Sequence, residues 1–267
     1  MDAHALFSAV LMGIVEGATE FLPISSTGHL VLLGALIGFE GPASVTFKIA
    51  IQLGAVLAVV VVFWRTLLEL ALKAWRPGPE RFYAVNILLA FLPAMVIGAT
   101  FYGTVQAMLM NPYVVCFALI VGGGAIIAIE RWRPRPTIHA VPEIGPLAAL
   151  LIGFGQVLAM IPGTSRSGAT IITALLVGVE RRTAAEFSFI LAIPTMFAAT
   201  VYALWKARRD LDLSSLAQIG VGFAVSFIVA LVVVRWLMSV IARIGFTPFG
   251  WYRIALGSVM LAVLALR

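Results

Sequence analysis

Residues 20–30 read "EFLPISSTGHL", a run that places Glu20, Pro23, three consecutive hydroxyl residues (Ser25, Ser26, Thr27) and His29 between long apolar stretches. Proline lacks a backbone N–H and disfavours helical geometry in the residue before it, so a helix arriving from the N-terminal side ends here. Serine and threonine are natural N-caps, so a second helix starts at once. The stretch therefore reads as helix, break, helix. Each half of the apolar segment 5–40 is too short to cross a bilayer, which takes roughly 17–25 residues. The expected object is a re-entrant hairpin that returns to the side it came from.

The surroundings support that reading. The chain has 267 residues, is 62% hydrophobic and 11% charged, and has a mean hydropathy of +1.07, outside the range of soluble domains. It reads as an all-α polytopic membrane protein, a single integral domain over 1–267. Its net charge of +6 sits mostly in short segments between apolar runs, where it sets orientation, so nucleic acid is not an expected partner. Cys116 is the only cysteine, which excludes an internal disulfide. The N-terminal "MDAHALFSAVLMGIVEGATE" has no basic n-region and carries Glu16, so it is expected to belong to the mature fold.

Spans are expected at about 47–68, 84–104, 113–129, 187–205, 216–238 and 251–266. A second apolar stretch, 147–180, is broken by "IPGTSRSG". Sliding 11–40 over 151–180 aligns Leu11/Leu151, Gly13/Gly153, Ser25/Ser165, Gly28/Gly168, Leu36/Leu176, Gly38/Gly178 and Glu40/Glu180, with Phe47/Phe187 just beyond. The identities are few, but both breaks, the glycine landmarks and the closing glutamates fall in register. Each half is then a hairpin plus three transmembrane helices: repeat 1 over about 1–130, a linker over about 131–146, and repeat 2 over about 147–267. An odd number of crossings per half predicts an inverted-topology repeat. Arg65, Lys73, Arg76 and Arg81, with Arg131, Arg133 and Arg135, are expected to be cytoplasmic, which puts the first hairpin outside and the second inside. Arg235, Arg243 and Arg253 are assigned to the last inner loop; "KARRD", 206–210, falls on the outer side against the rule.

The breaks carry the chemistry. Glu16 and Glu20 are four apart and share a helix face, so together they can hold a divalent cation, or one can stay neutral and act as an acid. Helices that begin inside the membrane at Ser25–Thr27 and at Ser165–Ser167 offer free N–H groups, positive dipole ends and hydroxyls to an anion such as phosphate. His29 lies in the first turn of the former. In the second copy Gln156 and Met160 replace the two glutamates, and Arg166 replaces Ser26. Arginine is a permanently charged fork suited to phosphate oxygens. Left lipid-facing and unpaired, Glu16, Glu20 and Arg166 would together cost on the order of 8–10 kcal/mol. They must therefore face one another, a cation or a wet cavity.

Simpler roles exist for each residue. Hydroxyls in membrane helices commonly bond backbone, the glutamates suit an ion or proton pathway, and Arg166 suits a structural ion pair with one of them. His4 and His139 lie near segment ends and are assigned no role. Glu40 and Glu180 are read as hairpin ends at an interface, and Trp64, Trp75, Trp132, Trp205 and Trp251 as interfacial anchors.

At "EGATE", running on into "FLPISSTGHL", and at "PGTSRSGAT", the chain resembles the undecaprenyl-pyrophosphate phosphatase family of bacterial membrane enzymes tied to bacitracin resistance. The resemblance covers essentially the whole chain and implies hydrolysis of a C55 isoprenoid diphosphate to its monophosphate and inorganic phosphate. That reaction recycles the lipid carrier of cell-wall precursors in the inner membrane. It also implies a requirement for Mg2+ or Ca2+, held by Glu16 and Glu20, the latter with an acid/base role as the alternative. Ser26 and His29 match the family's candidate nucleophile and catalytic histidine, and Ser165, Arg166, Ser167 and Thr170 match its phosphate-binding motif. Ser26 is preferred as nucleophile, with His29 as its acid or base partner, over direct attack by His29. Ser25 and Thr27 join the phosphate set as helix-start hydroxyls. The partners expected are the polyprenyl diphosphate and membrane lipid, with a homodimer admitted. The rival reading is a transporter or flippase for an anionic lipid or solute, since broken midplane helices in inverted repeats are a transporter design.

Overall fold

The computed structural model describes residues 3–39, 42–101, 103, 111–207 and 216–266. It is an all-α, multi-pass membrane protein. The first half contains α1 (Ala3–Thr19), α2 (Ser26–Ile37), α3 (Pro42–Val62), α4 (Trp64–Lys73), α5 (Pro79–Thr100) and α6 (Pro112–Trp132). The second contains α7 (Pro146–Val157), α8 (Arg166–Leu176), α9 (Arg181–Ala207), α10 (Leu216–Ile244) and α11 (Thr247–Ala265). Helices α5, α6, α9, α10 and α11 are each long and apolar enough to span a bilayer. Their exposed apolar residues fall in i, i+4 rows, such as Leu88, Leu92 and Val96 of α5 or Ile228 and Val232 of α10. Such rows are lipid-facing stripes and explain the hydropathy.

The two hairpins form as the breaks require. Helix α1 packs on α2 and α7 on α8. At about 1.5 Å rise per residue, the 12-residue α2 and α7 reach only about 18 Å, well short of the hydrocarbon thickness. The glycines aligned in the sequence hold matching places. A Cβ on Gly13 would stand 2.6 Å from Gly222 O of α10, and one on Gly153 would stand 2.5 Å from Ala90 O of α5, so α1 on α10 and α7 on α5 are close helix pairs of the same design. Gly38 and Gly178 both have positive φ, 67° and 88°, and both turn the chain just after the second helix of their hairpin. Glu40 lies outside the described residues, as do Arg208, Arg209 and Asp210 of "KARRD".

Two expectations are corrected. The span placed at 47–68 ends at Val62: the chain bends by 76° at Phe63 into α4. Helix α4 buries none of its residues fully, and its i, i+4 row Arg65, Glu69 and Lys73 runs beside the exposed row Trp64, Leu68 and Leu72. It is thus an amphipathic interfacial helix. Arg253, assigned to an inner loop, is 0% exposed inside α11. The linker is also more than a tether. Thr137 and Ile138 donate backbone N–H groups to Gly178 O, Glu180 N donates to Ile138 O, and Asn86 Nδ2 of α5 donates to Ile144 O at 2.7 Å. These bonds fasten it to the end of the second hairpin and to α5. Trp64, Trp75, Trp132, Trp205 and Trp251 are all exposed near helix ends.

Candidate active site

The breaks meet. Ser25 and Ser165 precede α2 and α8 with φ of 71° and 73°, and no other non-glycine residue among those described has positive φ. Each side chain accepts the N–H three residues on, Gly28 N at 3.4 Å and Gly168 N at 3.1 Å. Holding a serine in this region costs of order 1–3 kcal/mol, so the same strained cap twice over marks a geometry that the surrounding packing enforces. It starts both short helices at one place, with their first N–H groups unspent within the helix.

Glu20, the residue immediately after α1, is the hub. Ser26 Oγ donates to Glu20 Oε2 at 2.5 Å, and Arg166 Nη2 donates to Glu20 Oε1 at 3.2 Å. Arg166 Nη1 donates to Ser188 O at 3.1 Å, its guanidinium lies 5.3 Å from the centre of the Phe21 ring, and its Nε is buried with no hydrogen-bond partner. One acid, one hydroxyl and one guanidinium from residues up to 146 apart in sequence thus form a single chain of charge-assisted bonds. Arg166 is thus paired with an acid while only part of its fork is spent on Glu20.

These groups line a cavity of about 460 Å³. Glu20, Ser25, Ser26, Thr27, Ser165 and Arg166 form its polar end, with Gln52 and Gln156 beside them. Its remaining wall is mostly apolar, with Phe91, Ala94 and Met95 from α5, Met160, and Met196 and Ala199 from α9, interrupted by Thr195 and Tyr202. Met160 and Gln156, the counterparts of Glu20 and Glu16 in the second copy, thus face the same space.

Other candidates sit elsewhere. Ser167 is fully buried and donates to Leu22 O at 2.9 Å, and Thr170 bonds Arg166 O at 3.0 Å and Ser188 Oγ at 2.5 Å. Neither lines the cavity; they tie the second break to the first and to α9. His29 does not line it either. Its Nδ1 bonds Ser25 O at 2.8 Å and its Nε2 bonds Tyr252 Oη of α11 at 2.7 Å, with the rings parallel at 5.6 Å. Ser26 therefore has Glu20, and not His29, as its partner. Glu16 is fully buried, with its carboxyl within hydrogen-bond reach of Glu20 and electrostatic reach of Arg166 and no N–H donor on either oxygen. Two buried carboxyls this close, one helix turn apart, suit a shared proton or a cation. Among the described residues no three His, Cys, Asp or Glu side chains converge as a metal cage, so a cation held there would take its remaining ligands from water or from a bound anion.

Arg253 is the residue that sequence reasoning misplaced. Its Nη1 donates to Thr164 O at 2.7 Å and Pro23 O at 3.3 Å, its Nη2 to Ala118 O at 2.9 Å and Gly163 O at 3.0 Å, and its Nε to Leu119 O at 3.4 Å. A single guanidinium thus clamps both breaks to α6. The signal available was a lone arginine within an apolar span, which by the same energetic reasoning applied to Arg166 demanded buried partners.

Comparison with known proteins finds similarity along nearly the whole chain. A family model described as "Bacitracin resistance protein BacA" matches residues 9–259. The chain is 50% identical over 262 residues to undecaprenyl-diphosphatase 2 of Paramagnetospirillum magneticum, covering 98% of this chain and 100% of that protein. It is 51% identical over 263 residues to an undecaprenyl-diphosphatase of Sphingopyxis alaskensis, covering 98% of this chain and 99% of that one. A third relative of the same name, from Rhizorhabdus wittichii, is 51% identical over 264 residues, with 98% of this chain and 99% of the relative covered.

Proposed function

Because the chain belongs to the bacitracin resistance protein BacA family, we propose that it hydrolyses undecaprenyl diphosphate to the monophosphate and inorganic phosphate in the bacterial inner membrane. The observation that carries this is the Glu20, Ser26 and Arg166 cluster at the polar end of a cavity whose other wall is mostly apolar. A lipid diphosphate has the same division: a polyanionic head and an isoprenoid tail. Loss of the terminal phosphate recycles the lipid carrier for cell-wall synthesis, and removal of the free diphosphate accounts for bacitracin resistance.

The chemistry follows from the bonds already described. Glu20 accepts the Ser26 proton as Oγ attacks the terminal phosphorus, and the bond from that phosphorus to the bridging oxygen breaks, its electron pair leaving with the lipid monophosphate. Glu20 returns the proton to that leaving group. As a carboxylate again, it takes a proton from the water that attacks the phosphoserine phosphorus; the P–Oγ bond breaks, Glu20 passes that proton to Ser26 Oγ, and phosphate leaves. Arg166 and the N–H groups opening α2 and α8 neutralise the phosphoryl oxygens, donors already held in place before charge develops. Serine 26 as nucleophile matches the sequence expectation; the base assigned to it is now Glu20, while His29, held by Tyr252, orients the first turn of α2. Glu16 and Glu20 are the residues that would hold Mg2+ or Ca2+. When bound, the cation supplies charge neutralisation on the diphosphate.

The two halves are read as inversely oriented repeats, a reading supported by the matched glycines and caps and by three spans in each half when the bent pair α3 and α4 is counted as one. That architecture also favours the transport reading, so the test needs two arms. Detergent-solubilised protein with undecaprenyl diphosphate and Mg2+ is expected to release phosphate, and Arg166→Ala to release none. Lipid movement across sealed vesicles without phosphate release from either form would replace the phosphatase with a transporter.

A further inference from the structure

A second cavity, about 490 Å³, shares no lining residue with the first. It lies where α4, the start of α5, the linker and the start of α9 meet, on the face that the positive-inside rule assigns to the cytoplasm. That face is basic, with Arg65, Arg76, Arg81, Arg131, Arg133 and Arg135 on its loops and helix ends. The cavity is the reverse. Glu69, Glu80, Glu180 and Glu186 line it against Arg182 and His139. Some of this charge is spent: Lys73 pairs with Glu80 at 3.4 Å and His139 with Glu180 at 2.9 Å, while Arg182 lies within electrostatic reach of Glu186. Glu69, exposed on α4, has no ion pair among the described residues.

The wall also carries a polar atom with nothing to bond. Tyr83 is 5% exposed, stacks on Phe187, and has a buried hydroxyl without a hydrogen-bond partner, although Glu186 is near enough for its charge to act on it. A buried phenol left unpaired is costly, so the position points to a group that supplies the missing bond. A bare metal ion does not suit the site, since no three acidic or histidine side chains converge on one point among the described residues. Acids spread around several hundred cubic ångströms match a cation that is itself extended and rich in N–H donors.

We propose that this cleft binds a primary ammonium group, with Glu69 and Glu186 as counter-charges and Tyr83 Oη accepting one N–H. Two sources carry that chemistry at this membrane face: a free polyamine, and the headgroup of phosphatidylethanolamine, whose phosphate would fall to Arg182. The site is independent of the phosphatase reading, and its test does not use phosphate release.

The thermal unfolding midpoint of the purified protein in phosphatidylcholine nanodiscs is titrated with spermidine in one arm. In the other, phosphatidylethanolamine replaces phosphatidylcholine in steps. A saturable rise in the midpoint is expected in at least one arm: with spermidine it assigns the free amine, with phosphatidylethanolamine the headgroup. In Glu69→Gln and Glu186→Gln the half-saturating concentration should rise about fivefold, the scale of one partly exposed charge contact. Tyr83→Phe should weaken it by a smaller factor. Glu69→Gln alters an exposed position and keeps the test valid if the buried variants fold poorly. No saturable rise in either arm, an unchanged half-saturation in Glu69→Gln, or complete displacement of spermidine by equimolar Mg2+ would overturn the proposal.

Discussion

Arg253 Nη1 donates to the carbonyl of Thr164 at 2.7 Å, and the same nitrogen reaches Pro23 O, so one side chain in the last helix joins the two breaks from which the site is made. Its charge is satisfied by five carbonyls and by no acid among the described residues. Arg253→Met keeps the apolar stem but leaves these carbonyls without their donor. Each buried acceptor so orphaned costs about 1–3 kcal/mol, and several are involved, so a loss of about 3 kcal/mol or more is expected. Unfolding in detergent followed by tryptophan fluorescence checks this; an unchanged midpoint would remove the clamp from the account.

Arg166→Lys keeps the positive charge and discards the fork that now spans Glu20 and Ser188 O. A lysine carries its three donors on a single nitrogen and lacks the planar, two-nitrogen fork that reaches Glu20 and Ser188 O together. Phosphate release, measured as kcat/KM, is expected to fall about a hundredfold, the scale of losing one preorganised donor to a developing oxyanion. A loss under about threefold would mean that charge alone suffices.

Glu16 separates a cation role from a purely structural one. A chelator should abolish phosphate release and added Mg2+ or Ca2+ should restore it. In Glu16→Gln the concentration of cation needed for half activity should rise about 10- to 100-fold, as for the loss of a metal-positioning group. The same activation curve in the variant and in wild type would make Glu16 a buried acid with no cation to hold.

Ser25 carries strain that glycine would relieve. At φ 71° its Cβ is disfavoured, and its cap bond to Gly28 N is long at 3.4 Å. Ser25→Gly should stabilise the protein by about 0.5–1 kcal/mol, since glycine accepts this conformation and loses only a few tenths as an N-cap. A lower unfolding midpoint in this variant would show that the hydroxyl outweighs the strain.

Much of this was legible in the sequence because it is written in local chemistry. Proline breaks, hydroxyl caps and a 140-residue offset of glycines located both hairpins, and the cost of placing Glu20 and Arg166 in a membrane required that they face one another, a cation or a wet cavity. The bend at Phe63 was not legible, because α4 continues the apolar composition of α3 and differs only in where its charges fall around the helix. Tyr252 beside His29, Ser188 beside Arg166 and Arg253 beside Pro23 depend on contacts between distant segments. Nothing near any of them in the chain encodes its partner. His29 as the partner of Ser26 rests on the family resemblance, whereas the hydrogen bond of Ser26 Oγ goes to Glu20, which precedes the helix.

The most direct test of the central claim is phosphate release from undecaprenyl diphosphate by wild type, Ser26→Ala, Glu20→Gln and His29→Ala, measured side by side at saturating Mg2+. The account predicts that Ser26→Ala and Glu20→Gln each lose at least about a hundredfold in kcat, within the range of a lost general base or nucleophile, and that His29→Ala loses less. Near wild-type rates in Ser26→Ala and Glu20→Gln, with activity abolished in His29→Ala, would contradict it.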